Sequence, residues 1–85
     1  MDIQQVAGEP VNVETILGVV TATVVCPVGT VLLSGGYLAD AEPQGLIQII
    51  ESKRDDINPN QWNVSGLGLT GLVSGLLQAY AVCTV

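Results

Sequence analysis

The sequence predicts an all-β fold: a small antiparallel β-sandwich or barrel-like domain held by one disulfide. Val, Ile and Thr dominate its apolar segments, and Gly or Pro interrupts those segments at short intervals. Two cysteines, Cys26 and Cys83, bracket most of an 85-residue chain. A domain of this length is only marginally stabilised by its own core, so an added constraint or an oligomeric partner is expected. The cysteine pair reads as a disulfide more readily than as a metal site, because zinc needs further ligands and the chain has no histidine. The alternative is two buried free thiols.

Residues 1–18 stand apart from the rest. Asp2, Gln4, Gln5, Gly8, Glu9, Pro10, Asn12 and Glu14 interrupt short apolar stretches around Val6, Val11, Val13, Ile16 and Leu17. This segment reads either as a frayed tail or as an N-terminal arm that donates a strand to a neighbouring subunit. Residues 19–85 are expected to form the β domain. Val19 to Cys26 is its clearest strand, rich in β-branched residues and ended by Pro27, which cannot continue a central ladder. Pro27-Val28-Gly29 makes a turn into a second strand, Thr30 to Tyr37. Gly35-Gly36 within it predicts a bulge or a place where a large side chain lies on bare backbone, with Trp62 the candidate.

Leu38 to Gly45, with Asp40, Glu42, Pro43 and Gly45, has the composition of an exposed loop. Leu46 to Lys53 reads as a strand of mixed faces, Ile47, Ile49 and Glu51 on one and Gln48, Ile50 and Ser52 on the other. A polar turn, Arg54 to Asn60, leads into a half-buried strand in which Trp62, Val64 and Gly66 alternate with Asn63 and Ser65. Leu67 to Leu77 lacks a polar face and reads as buried against a neighbour. Leu76 to Val85 closes the domain as a last strand.

Charge excludes several functions. Eight acidic residues against Lys53 and Arg54 give a net charge of −6, whereas nucleic acid and anionic membranes both require a basic footprint. Val64 to Val85 is uncharged and long enough to span a bilayer, but its frequent glycines and polar residues favour a β reading, so no membrane insertion is expected. The first residues show neither a basic stretch nor a continuous apolar run, so no signal peptide is visible in this chain: either one has been removed or export goes another way. With 48% of residues hydrophobic and few charged, the chain carries more apolar surface than a solitary small domain easily buries.

Catalytic chemistry has few carriers. No histidine is present to deprotonate Ser34, Ser52, Ser65, Ser74 or either cysteine. The acidic pairs Asp40 with Glu42 and Asp55 with Asp56 fall in polar segments where solvated carboxylates are the ordinary explanation. Asp55, Asp56, Asn58 and Asn60 offer oxygens for calcium but lack the glycine and distal glutamate of a dedicated loop. Trp62, Tyr37 and Tyr80, the chain's three aromatics, read as core packing before they read as a glycan platform. Neither an enzyme nor a cofactor is expected.

The landmarks Cys26-Pro27-Val28-Gly29-Thr30, Ser34-Gly35-Gly36-Tyr37, Ile50-Glu51-Ser52, Trp62-Asn63-Val64 and Ala79-Tyr80-Ala81-Val82-Cys83 occur in that order. Over residues 19–84 they resemble a small bacterial surface-domain family with a Cys-Pro-x-Gly-Thr, Gly-Gly-Tyr, Trp-x-Val, Ala-Tyr-Ala-x-Cys pattern. The resemblance implies an extracellular β-sandwich-like or barrel-like module with Cys26 paired to Cys83 and no catalytic residues. Small β proteins of spore surfaces and appendages offer a further analogy. The functional expectation is a self-associating structural subunit of a surface layer, appendage or fibre. Leu67, Leu69, Leu72, Val73, Leu76 and Leu77 are its expected interface. The competing expectation is a secreted adhesion module whose loops, Asp40 to Gly45 and Asp55 to Asn60, contact a glycan, a protein or calcium.

Overall fold

In the computed structural model, which describes residues 2–85, the chain forms two antiparallel sheets packed face to face. The strands are β1 (Ile3–Ala7), β2 (Val11–Asn12), β3 (Val20–Val25), β4 (Val31–Glu42), β5 (Ile47–Arg54), β6 (Gln61–Gly68) and β7 (Ser74–Thr84), with a 3-10 turn at Thr15–Leu17. Sheet A is built around β7, with β4 along one edge and β1 and β2 in tandem along the other. Sheet B has the order β3-β6-β5. The molecule is elongated, 44 × 22 × 15 Å, because β4 and β7 pair over nearly their whole lengths.

Alternation decides what is buried. On β7, Leu77, Ala79, Ala81 and Cys83 point into the space between the sheets, where they meet Val13, Ala22, Val24, Leu32 and Val64. The small alanines of β7 leave room for the larger residues opposite, which is how two sheets interdigitate at close packing. Trp62 covers Gly35, and a Cβ on that glycine would run into the indole ring. The indole N–H donates to Ser52 Oγ at 3.0 Å, so the half-buried ring keeps its polar atom satisfied.

The disulfide is present between Cys26 and Cys83, with the Cα atoms 5.9 Å apart and a sequence separation of 57. Cys26 sits just beyond β3 in sheet B and Cys83 on β7 in sheet A, so the bond staples one sheet to the other. Both are buried, at 5% and 0% exposure.

Three segments depart from the sequence expectation. Leu38–Glu42 is not a loop but the second half of β4, because Ala39 and Ala41 alternate with Asp40 and Glu42 and the acids take the solvent side. The connection shrinks to the short turn after the cis Glu42–Pro43 bond. The mixed faces of β5 are resolved by a bulge between Ile49 and Glu51. Ile47 and Ile49 face the core, Ile50 is extruded, and Ser52 and Arg54 then face inward. Residues 3–12 are built into the sheet of their own chain: Ile3–Ala7 pairs with Tyr80–Thr84, and Val11–Asn12 with Leu76–Leu77. Gly8 lets the chain pass close to Thr23, whose carbonyl would meet a Cβ there. Val64 to Val85, the stretch long enough to span a bilayer, forms most of β6 and β7. Among the described residues no helix is long and apolar enough to cross a membrane.

Candidate self-association surface

One end of the sandwich is a knot of turn residues. Thr30 donates from its backbone N–H and its hydroxyl to the Pro27 carbonyl, at 3.1 and 2.7 Å, closing the turn that Gly29 enters at φ +91°. The Asn60 side chain donates to the Thr30 carbonyl at 3.1 Å and accepts from the Leu32 N–H at 3.2 Å, while its own carbonyl accepts from Cys26 N–H at 2.8 Å. The Arg54 guanidinium reaches across to the Leu32 carbonyl at 3.2 Å. The Cys-Pro-x-Gly-Thr segment and the β5–β6 loop are thereby fastened together beside the disulfide.

The oxygens offered to calcium by the sequence are already engaged. Asp55 accepts from Asn58 N–H at 2.8 Å, Ile57 N–H at 3.0 Å and Asn63 Nδ2 at 2.7 Å. These bonds, that from Asn58 foremost, hold its carboxyl below the usual aspartate range. Asp56 accepts from Lys53 at 3.1 Å, and Asn58 Oδ1 from Asn60 N–H at 3.1 Å. Glu51 and Asp56 raise Lys53 above the ordinary lysine value. Among the described residues no cluster of three or more acidic or cysteine side chains is arranged to hold a metal ion. The other candidate loop, around Asp40 to Gly45, lies at the far end of β4, so the two loops do not converge on one ligand. A shallow cleft of about 270 Å³ opens there between Asn12, Asp40, Glu42, Ser74 and Leu76. The aromatics also separate: Trp62 and Tyr37 lie on the inward faces, Tyr80 on the outward face of sheet A.

The six leucine and valine positions expected at an interface do not form one surface. Leu77 is fully enclosed in the core of its own chain, because β7 is a central strand and its odd-numbered residues point between the sheets. Leu72 folds back against that core from the β6–β7 turn. Leu67 lies beside Gln48 on the outer side of sheet B, and Leu69 is held in the turn by a bond from its N–H to Leu46 O at 2.8 Å. Val73 is 80% exposed at the turn, and Leu76 reaches the outer face of sheet A.

The apolar excess gathers elsewhere. On sheet B the outer face is mostly polar: Thr21, Thr23, Gln61, Asn63, Ser65, Gln48, Glu51 and Lys53, with Thr21 and Ser65 hydroxyls hydrogen-bonded at 2.8 Å and with Val25 and Leu67 as its apolar members. On sheet A the outer face carries Val82 and Tyr80 along β7, Ile3 on β1, and Val31 and Leu38 on β4, with the uncharged polar residues Gln5, Ser34, Gln78 and Thr84 between them. Ile3 and Val31 are 62% and 58% exposed. The rows share a face because directly opposed residues of antiparallel strands point the same way. The sequence hid this surface because its residues come from three distant segments, each carrying only one or two of them. The chain matches no family model, no curated protein and no solved structure.

Proposed function

We propose that this chain is a non-enzymatic structural subunit that self-associates into a surface layer, appendage or fibre outside the reducing cytoplasm. The observation that carries the reading is an uncharged patch on the outer face of sheet A, where Ile3, Val31, Leu38, Tyr80 and Val82 gather, whereas the outer face of sheet B is mostly polar and carries Glu51 and Lys53. Soluble single domains seldom expose a contiguous apolar sheet face, and such faces mark interaction sites. The disulfide supports the compartment, since a bond of this kind persists in oxidising surroundings. Absent histidine and the engaged loop carboxylates support a building role over a chemical one. Exposed Val28 and Ile57 at one end, and Ile16 and Val73 at the other, add apolar tips through which subunits join lengthwise.

The test is light scattering over a concentration series, with and without reductant. The expected result is a mass that grows with concentration in oxidised protein. A monomer at every concentration overturns the reading.

A further inference from the structure

We propose that the outer face of sheet A receives a second copy of the same face, related by a two-fold axis that crosses the strands at Val82. This rests on the self-associating reading and specifies its contact. The argument begins from the rows that strand register creates across β1, β7 and β4. The row at Thr84 holds Ile3, Thr84 and Val31: large, small, large. The row at Tyr80, two residues along, holds Ala7, Tyr80 and Gly36: small, large, small. Between them lies the row of Gln5, Val82 and Ser34, beside which a bulge in β4 inserts Leu33, 48% exposed.

A two-fold axis along the Val82 row turns the second molecule over, keeps like strand above like strand, and exchanges the outer rows. Tyr80 of each copy then covers Thr84 of the other, while Ile3 and Val31 drop onto Ala7 and Gly36. Large meets small at every one of these positions, twice over, which an isologous contact requires. Antiparallel stacking also agrees with the aligned packing that sheets adopt.

One feature of the chain is otherwise unexplained. Gly36 has no left-handed φ, and a Cβ placed on it would meet nothing within 4 Å, so its own fold does not require glycine there. Gly35, by contrast, is required by Trp62.

Charge selects the occupant and the orientation. The patch from Ile3 to Leu38 holds no charged side chain, so a second copy docks there without burying an ion, although each chain carries −6. Asp40 and Glu42 lie further along β4, beyond the end of the partner's sheet in this arrangement, so the acids are not stacked on one another. At about 3.3 Å per residue and 4.8 Å between strands, the five-residue, three-strand overlap covers roughly 240 Å² of flat sheet per copy. That is the size of a weak, concentration-dependent contact, with Tyr80 as its aromatic anchor.

Sedimentation velocity from micromolar to millimolar oxidised protein tests this, with circular dichroism checking the fold of each variant. Gly36→Val fills the notch in open space on its own chain and is expected to weaken association at least tenfold. Adding Val31→Ala to it reopens the space and is expected to recover part of the loss, a rescue that general destabilisation does not produce. Val82→Lys, which sets two ammonium groups at the axis, is expected to abolish the dimer. Thr23→Lys on sheet B is expected to leave it unchanged. Undiminished association in Gly36→Val and Val82→Lys overturns this contact and leaves self-association standing. Equal loss in Thr23→Lys also overturns it. A wild-type monomer throughout the range overturns both the contact and the proposed function.

Discussion

Removing the Cys26–Cys83 bond is expected to lower the stability of the fold by about 4 kcal/mol, from the entropy of the loop that it closes. The sequence separation is 57 residues, and the chain-entropy relation gives roughly 14 cal/mol/K for such a loop, or about 4 kcal/mol at 25 °C. A domain of 85 residues has roughly 4–13 kcal/mol of stability in all, so the loss is a third or more of the whole. The bond also joins the two sheets through the core, where both sulfurs are buried, so their release leaves thiols that still fill the space. Reduction therefore isolates the covalent term better than a Cys26→Ala and Cys83→Ala pair, which adds a cavity. The assay is guanidinium denaturation of oxidised and reduced protein at one low protomer concentration, because association stabilises by mass action. The dependence of stability on denaturant should steepen on reduction, as the freed denatured chain exposes more surface. A difference below about 1 kcal/mol would refute the claim that the staple constrains the unfolded chain, and with it the claim that this small core needs one.

Other outcomes follow from single contacts. Gly35→Val should cost about 1–3 kcal/mol or more by displacing the Trp62 indole, whereas Gly36→Val, measured at low concentration, should lie within about 0.5 kcal/mol of wild type; equal effects would contradict the placement of the ring. Asn60→Ala removes the bonds to Thr30 O and Leu32 N–H and should cost about 1–3 kcal/mol, read as a shift of the denaturation midpoint. Asp55 titrates below its unfolded value, so the unfolded state binds more protons in that window and stability falls as the pH drops. Its contribution should be complete above about pH 5 and lost as the pH falls through the depressed native value, and Asp55→Asn should flatten that part of the profile. An unchanged acid profile in Asp55→Asn would show that the loop bonds do not favour the carboxylate.

What the sequence made legible was what local chemistry dictates. Val20–Val25 follows from its β-branched run and Pro27, and the pairing of Trp62 with a glycine in the next sheet follows from bare backbone beside the chain's single indole. β4 was cut short because Asp40 and Glu42 look like loop residues until their alternation with Ala39 and Ala41 is placed on a sheet with one wet face. The phase of β5 was ambiguous because a bulge inserts a residue, and a bulge changes which side chains face the core without changing composition. The interface expectation followed hydrophobicity along residues 67–77, but a central strand spends half of such a run on its own core, and Leu77 went there. The N-terminal segment gave the weakest pattern because β1 turns one glutamine, Gln4, toward the inward side at the sheet edge, so period two does not separate polar from apolar.

The staple and the proposed contact are carried by one strand. Cys83 points inward from β7 to hold sheet B, while its neighbours Val82 and Thr84 point outward into the face proposed to meet a second copy. A strand fixed through its inward side presents its outward side without further ordering, and ordering is the cost that weakens small interfaces. The uncharged rows proposed for the contact lie at the end of sheet A clamped by the disulfide, Asn60 and Arg54, and the acids Asp40 and Glu42 lie at the other. A contact of only a few hundred square ångströms per copy has little energy to spare for ordering its own surface, so in the proposed assembly the covalent link that stabilises the fold would also make so small a face usable.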